Sequence, residues 1–271
     1  MIHVADIDGR KLACWVSNGD FLPDRRTLVF VHGSGGSHTD WILQYTPLKS
    51  SFNIVAIDLP GHGESEGPGE RDVSAYVAWV KKILEALGVV EPILVGHSLG
   101  AAICLRFAIL YGDAAAAVVP VGGGVRMPVN PAILEGLEQD PAAVIGLAAR
   151  FSVAKANRER LGDLITTSLS RTKPEVIHGD FTACAALDIT EAIAGIGIPV
   201  LAVCGAEDKM MPPAFSEYLG GHIPGAGLVL IPGAGHFVMW ENPEAFNAAL
   251  TEFVNRCDLD RRERRHPSTA A

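Results

Sequence analysis

The stretch Gly96-His97-Ser98-Leu99-Gly100 decides the fold, because it joins the apolar run 92–95 to the apolar, helix-length segment 101–110. A serine between glycines at such a junction is typical of a sharp strand-to-helix turn that exposes the serine hydroxyl. The glycines let neighbouring chains approach the turn, and the free N–H groups at the start of the helix favour an oxyanion beside it. The pattern therefore predicts that Ser98 is a nucleophile.

The chain on both sides of this turn alternates short apolar runs with helix-length segments. Strands that are apolar at nearly every position are expected to be buried on both faces, as in a mostly parallel sheet. Residues 73–87 carry apolar side chains at helical spacing, and Gly88 follows as a stop signal. We therefore predict an α/β fold with a doubly wound, mostly parallel, eight-stranded sheet. The predicted strands are 3–7 and 12–16, which form a hairpin, then 27–31, 53–57, 92–95, 116–119, 200–203 and 227–231.

The alternation of strand-like apolar runs with helix-length segments stops between Val125 and Gly197 and resumes at Val200. The intervening stretch carries helical signals, at 131–137, 141–151 and 161–169, but no run comparable to the predicted strands. Inserted segments at the carboxyl edge of a parallel sheet tend to cover ligand crevices. We therefore predict a core in two parts, interrupted by a helical lid and closed by a helix over about 243–256. The predicted divisions are core 1–124, lid 125–197, core 198–258 and a flexible carboxyl-terminal tail 259–271.

The composition excludes several classes of protein. The 271 residues are 48% hydrophobic, which disfavours intrinsic disorder. The net charge of −9 disfavours binding to nucleic acid or to an anionic membrane, since both attract positively charged surfaces. No segment is predicted to span a membrane. Residues 1–6 show neither a basic nor an apolar targeting pattern, so the expected location is cytoplasmic. The five cysteines are scattered without a C-x-x-C pair, and no metal site is predicted.

A serine hydroxyl needs a base, and His236 is the strongest of nine histidine candidates. It lies in the glycine-rich loop 233–237, between the last predicted strand and the last helix, from which an imidazole can reach back over the sheet. A carboxylate must then orient the imidazole and stabilise its charged form. Asp208 follows the strand 200–203 and is the predicted acid, with the adjacent Glu207 as the alternative.

Taken together, these motifs resemble those of the α/β-hydrolase family, in particular its cap-bearing serine esterases and C–C hydrolases. The similarity covers residues 27–254 and is weakest in the predicted lid. His32-Gly33-Ser34-Gly35-Gly36 resembles the family's HGxxG oxyanion loop, and residues 58–65 resemble its D-x-P-G-x-G-x-S turn. The acid loop 205–212 and the histidine loop 235–243 complete the resemblance, and the order serine, aspartate, histidine is that of the family.

The resemblance implies an active site without cofactor or metal. The backbone N–H groups of Ser34 and Leu99 would form the oxyanion hole, and the Gly35 N–H is the alternative to that of Ser34. The tentative substrate pocket consists of Gly35, His97, Phe237 and Trp240.

The serine at position 98 disfavours haloalkane dehalogenases and epoxide hydrolases, which place aspartate there. The predicted reaction is hydrolysis of a carboxylic ester of a small, largely apolar substrate through an acyl-enzyme. Three alternatives stay open: a C–C hydrolase of vinylogous diketones from aromatic ring cleavage, a perhydrolase or haloperoxidase-like enzyme, and a slow-turnover ligand receptor. The expected partner is a small acyl substrate rather than nucleic acid or membrane, and assembly as a homodimer is left open. A C–C hydrolase would need a basic lid residue, for which the candidates are Arg150, Arg158, Arg160 and Arg171.

Overall fold

A computed structural model describes residues 1–17, 19 and 21–259 and the backbone of residues 260–265. The strands are β1 Ile2–Ile7, β2 Arg10–Val16, β3 Thr27–Val31, β4 Asn53–Ile57, β5 Ile93–His97, β6 Ala117–Val121, β7 Leu201–Gly205 and β8 Gly227–Ile231. They form one eight-stranded sheet in the order β1-β2-β4-β3-β5-β6-β7-β8. β1 and β2 are antiparallel, and β3 to β8 run parallel to one another. The predicted α/β fold is confirmed.

Helices cover both faces of this sheet, which explains why its central strands are apolar at nearly every position. Successive side chains of a strand point to opposite faces, so Val29 and Val31 enter one hydrophobic cluster and Leu28 and Phe30 enter the other. The helices are α1 Ile42–Leu48, α2 Val73–Ala86, α3 Leu99–Tyr111, α4 Pro131–Gln139, α5 Pro141–Phe151, α6 Arg158–Leu169, α7 Pro174–Ala185, α8 Pro213–His222, α9 Val238–Glu241 and α10 Pro243–Arg265. α2, α3 and α8 contribute to the first cluster, and α1 and α10 contribute to the second.

Four helices, α4 to α7, lie between β6 and β7, inside the range predicted as a lid. α4 packs against α7 and α5 packs against α6, and Leu137, Ile145 and Ile177 form a small hydrophobic cluster of their own. Sequence reasoning assigned three of these helices and missed α7. Its signals are Pro174 at the first helical position and an apolar face that contains one acid, Asp180.

The end of the last helix predicted from sequence is wrong. α10 continues to Arg265, nine residues beyond the predicted end of the helix at Arg256. Residues 259–265 of the predicted tail are therefore helical, because the helix that packs on the sheet through Phe246 and Leu250 has no stop signal before its charged end. The remaining predicted tail, 266–271, lies outside the described residues.

The turn between β5 and α3 is held by close backbone contact, which predicts the effect of adding one methyl group at Gly100. A Cβ atom there would lie 2.3 Å from the Val31 carbonyl oxygen and 2.7 Å from that of His32. We expect Gly100→Ala to lower the free energy of unfolding by about 1–3 kcal/mol or more, measured by urea denaturation.

Gly162→Ala is the matched control, because a Cβ atom at this position of α6 meets no atom within 4 Å. Alanine in a helix is favoured over glycine by roughly 0.5–1 kcal/mol, so this variant should be as stable as the wild type or more stable. Equal losses in the two variants would contradict the close approach at Gly100.

Candidate active site

Ser98 occupies a strained turn at the end of β5. Its backbone has φ 52° and ψ −114°, and its N–H donates to the Val121 carbonyl oxygen at 2.8 Å. A non-glycine residue in this region is uncommon and costs roughly 1–3 kcal/mol, so it is retained only where the surroundings enforce it. The side chain makes no cap hydrogen bond to α3, so it does not cap this helix. Its hydroxyl faces a cavity instead.

Asp208 and His236 meet above the carboxyl ends of β7 and β8. His236 Nδ1 lies 2.8 Å from Asp208 Oδ2, and both side chains are buried. The other carboxylate oxygen, Oδ1, accepts hydrogen bonds from the backbone N–H groups of Met210 and Met211, each at 2.9 Å. Glu207, the alternative acid, is exposed to solvent. The carboxylate that orients the imidazole is therefore that of Asp208.

The histidine loop is tied to the lid by a second buried acid. Glu241 accepts hydrogen bonds from the backbone N–H groups of Gly235 and Ala154, both at 2.8 Å, and from the Asn157 side chain. The backbone N–H of His236 donates to the Ser152 carbonyl oxygen at 2.7 Å. Burial raises the pKa of Glu241, against the hydrogen bonds that it accepts. Sequence reasoning assigned Glu241 no role.

His97 links the histidine loop to the turn at Ser98. Its Nε2 lies 3.0 Å from the His236 carbonyl oxygen, and its ring lies 4.7 Å from that of His236, centroid to centroid, with the two planes tilted by 52°. Burial, together with the neighbouring His236, holds the pKa of His97 well below its ordinary value. His97 is therefore a neutral imidazole whose Nε2–H donates to the His236 carbonyl, and it fixes the histidine loop.

The turn formed by residues 33–36, the oxyanion turn, carries the two N–H groups that the sequence left as alternatives, those of Ser34 and Gly35. Only one of them has a hydrogen-bond acceptor in the part of the chain that the structure describes. The Gly36 N–H closes the turn on the Gly33 carbonyl oxygen at 3.1 Å, and Gly35 has φ +69°, as the third position of a type II turn requires. The Gly35 N–H donates to the Asp180 carboxylate at 2.9 Å and is not free for an oxyanion. The Ser34 N–H has no acceptor among the described residues.

The second amide of the predicted oxyanion hole is that of Leu99, the first residue of α3. The N–H groups of the first helical turn have no acceptor within the helix, and the helix dipole places partial positive charge there. Ser98, the predicted nucleophile, and this donor are adjacent in the chain, so the turn at Ser98 positions both.

A cavity of about 410 Å³ opens above Ser98 and His236. Its walls come mainly from the lid and are mostly apolar, and Lys209 alone among the lysines and arginines that the structure describes lines it. Cys184 also lines the cavity, but burial raises the pKa of its thiol to about 12, so it stays protonated. The apolar lid residues of the wall are Met127, Pro128, Val129, Ala132, Ile133, Val144, Leu147, Ala148, Phe151 and Phe181.

The tentative pocket residues fall into two groups. His97 and Phe237 line a smaller cavity of about 40 Å³ that also reaches Ser34, Ser98 and His236. Gly35 and Trp240 line neither of these two cavities, so their role in a substrate pocket stays a prediction. Leu169 and Ile177 of the lid cover Gly35, and the Trp240 indole N–H donates to the Asp40 carbonyl oxygen.

The four lid arginines proposed for a C–C hydrolase also lie away from both cavities. The Arg160 guanidinium, for example, donates to the Glu241 carbonyl oxygen at 3.0 Å. None of the four candidate arginines therefore supplies the basic side chain that a C–C hydrolase would need at its substrate.

Asp40, which sequence reasoning did not single out, is a buried acid in the wall of the smaller cavity. Burial raises its pKa to about 7, against hydrogen bonds from the Ser168 hydroxyl and the Ser37 N–H. The pKa of the folded state is thus above the ordinary value of 3.8. The stability that comes from a neutral Asp40 is fully present below about pH 4 and is lost as the pH rises through about 7.

We therefore expect Asp40→Asn to change the pH dependence of stability. The wild type should lose stability relative to this variant between about pH 4 and 7, by a few kcal/mol, because the variant cannot ionise at this position. Urea denaturation at a series of pH values measures the difference. Asp163→Asn, at an exposed residue of α6, controls for the loss of one negative charge. Parallel curves for Asp40→Asn and wild type would contradict a raised pKa.

No helix of the described chain has the length and apolar character needed to cross a membrane. Within the same residues, no group of three or more histidine, cysteine, aspartate or glutamate side chains is arranged to hold a metal ion.

Comparison with known proteins places the chain among relatives of this architecture. A model of the alpha/beta hydrolase family matches residues 28–249. A solved structure described as a thermophilic esterase is 31% identical, covers 95% of this chain and 98% of its own, and superposes with a TM-score of 0.82.

Two curated relatives have different activities in their names. The dihydrolipoyllysine-residue acetyltransferase component of the acetoin cleaving system of Cupriavidus necator is 29% identical over 92% of this chain and 68% of its own length. A 2-hydroxy-6-oxononadienedioate/2-hydroxy-6-oxononatrienedioate hydrolase of Paraburkholderia phymatum is 27% identical over 86% of this chain and 88% of its own.

Proposed function

Because the chain belongs to the alpha/beta hydrolase family, we propose that it is a serine esterase that cleaves a carboxylic ester of a small, largely apolar substrate. The observation that carries the proposal is the strained Ser98, whose side chain opens into the same cavity as His236, with His236 held by Asp208. A strained serine, a buried imidazole and an orienting carboxylate are the parts that acyl transfer to water requires.

The first half of the proposed reaction forms an acyl-enzyme. His236 Nε2 takes the proton from the Ser98 hydroxyl while Ser98 Oγ attacks the ester carbonyl carbon. The negative charge on the carbonyl oxygen is held by the N–H groups of Ser34 and Leu99, and each such donor contributes several kcal/mol to the barrier reduction. The tetrahedral intermediate collapses, and the alcohol leaves with the proton from His236.

The second half returns the enzyme to its starting state. His236 takes a proton from water, whose oxygen attacks the acyl carbon, and the same two N–H groups hold the oxyanion again. Ser98 Oγ leaves with the proton from His236, and the carboxylic acid is released. Asp208 remains ionised throughout, keeps Nδ1 protonated and stabilises the imidazolium that forms twice in each cycle.

The cavity supports an apolar substrate of modest size. Its volume of about 410 Å³ lies at the lower end of the ~300–1,000 Å³ range of ligand pockets, and its lid walls are apolar. The similarity to a thermophilic esterase supports the same chemistry. The relative named for a dienedioate hydrolase keeps C–C hydrolysis as the alternative, but the lid arginines that it would use lie outside the cavity. A cytoplasmic location and assembly as a homodimer remain predictions.

Ser98→Ala tests the nucleophile. We expect kcat for p-nitrophenyl esters to fall by roughly 10⁴-fold or more, because the attacking oxygen is lost while the cavity is kept. A panel of acyl chain lengths should show the highest kcat/KM for short to medium chains. Ser170→Ala is the control, since the Ser170 hydroxyl is exposed and bonds only the Thr166 carbonyl oxygen.

Each alternative has its own signature in the same assay. Loss of the colour of a ring-cleavage dienol without ester turnover would favour a C–C hydrolase, and peracid formation from acetate and peroxide would favour a perhydrolase. A single labelling event without turnover would favour a receptor. Full activity of Ser98→Ala would contradict every mechanism that uses this serine.

Asp208→Asn and Glu207→Gln form a matched pair, since each replaces one acid of the same loop by its amide. We expect Asp208→Asn to lower kcat by about 10³–10⁴-fold, because asparagine favours the wrong imidazole tautomer. Glu207→Gln should retain kcat, because Glu207 is exposed. Steady-state kinetics measure both, and the reverse ranking would move the acid to Glu207.

A further inference from the structure

The lid contacts the oxyanion turn through two buried polar side chains. Asp180, on α7, accepts the Gly35 N–H on Oδ2 at 2.9 Å. Thr172, between α6 and α7, donates its hydroxyl to the Gly35 carbonyl oxygen at 2.8 Å. The backbone N–H and C=O of one turn residue are thus both held by the lid. Neither Asp180 nor Thr172 lines the cavities above Ser98.

The Asp180 carboxylate is itself held by the core. His62 Nε2 lies 2.9 Å from Oδ2, and the Tyr76 hydroxyl donates to Oδ1 at 2.6 Å. Burial by itself would lower the pKa of His62, but the charge of Asp180 and the hydrogen bond to it raise the pKa above its usual value. A carboxylate fixed by several donors is a rigid acceptor for the Gly35 N–H.

Contact with the lid also fixes the turn sterically. A Cβ atom at Gly35 would lie 3.2 Å from Ile177 and 3.3 Å from Leu169, so the lid packs directly on this residue. In a four-residue turn, the orientation of the middle peptide distinguishes the turn types, and here that peptide joins Ser34 to Gly35. Asp180 bonds the N–H of this peptide, and Thr172 bonds the carbonyl of the next one.

We propose that Asp180 and Thr172 are positioning residues for the oxyanion hole, which hold the Gly33–Gly36 turn so that the Ser34 N–H points at the developing oxyanion. The inference rests on the proposed function, since it assigns the Ser34 amide to that hole. In this proposal, contact between the lid and the Gly33–Gly36 turn is required for transition-state stabilisation as well as for substrate binding. Hydrogen-bond donors to an oxyanion are effective only when they are preorganised, so a loosened turn lowers kcat.

Asp180→Asn and Thr172→Val test this role. Each keeps the side-chain volume but weakens one of the two contacts with Gly35. We expect kcat to fall by about tenfold in each, part of the ~10²–10³-fold loss that follows removal of a whole oxyanion donor, while KM changes by less than about twofold. The affinity of a boronic acid, whose serine adduct places an oxygen in the oxyanion hole, should fall by a similar factor.

Asp188→Asn is the matched control, because Asp188 is a lid acid that pairs with Arg126 on the surface, away from the turn. Its kcat and boronic acid affinity should equal those of the wild type. Thermal unfolding of every variant separates stability from positioning: a lower Tm with unchanged kcat and boronic acid affinity would overturn the proposal. If Asp180→Asn fails to fold, Thr172→Val decides the question, since it touches Gly35 alone of the turn and breaks no charged contact.

The proposal and the proposed function fail in different ways. If the wild type hydrolyses no ester but a fluorophosphonate labels Ser98, the esterase assignment fails. The labelling rates of Asp180→Asn and Thr172→Val then still test the turn, because the phosphonyl oxygen develops charge in the same hole. Rates equal to that of the wild type would overturn the role of Asp180 and Thr172, and rates about tenfold lower would support it.

Discussion

The close packing of backbone around the turn at Ser98 is the constraint on which the rest of the structure depends. β5 leads directly into Ser98, which has φ 52°, and α3 starts at once beside the carbonyl groups of Val31 and His32. The strain at Ser98 persists because the parallel strands on both sides fix where the chain enters and leaves the turn. The backbone conformation of this turn determines the positions of the Ser98 side chain and of the Leu99 N–H at the base of the cavity.

The lid is the second determinant of the site, and it acts through buried polar contacts as well as through apolar walls. The Ser152 carbonyl and the Ala154 amide hold the histidine loop, while Thr172 and Asp180 hold the oxyanion turn. Both loops that carry the proposed catalytic groups are therefore bonded to lid residues. A lid connected in this way contributes to the geometry of the site, and its loss would alter more than the shape of the pocket.

Sequence reasoning succeeded where the signal is local. The apolar runs identified the strands, because a strand buried on both faces must be apolar at successive positions. Ser98, Asp208 and His236 were selected by the element that each follows, and the structure brings Asp208 and His236 into contact. The end of α10 was misjudged, because the predicted end at Arg256 has no stop signal: no glycine or proline follows it in the sequence until Pro267.

The sequence by itself determined the fold class, the position of the strained serine and the candidate acid and base, because each depends on residues adjacent in the chain. Only the tertiary structure decided which amide of the oxyanion turn is free, since the partner of the Gly35 N–H, Asp180, is 145 residues away. It likewise decided that the Trp240 indole bonds to Asp40 and that the four candidate lid arginines lie outside the cavity. These contacts join distant segments, and their specificity comes from packing that no local pattern encodes.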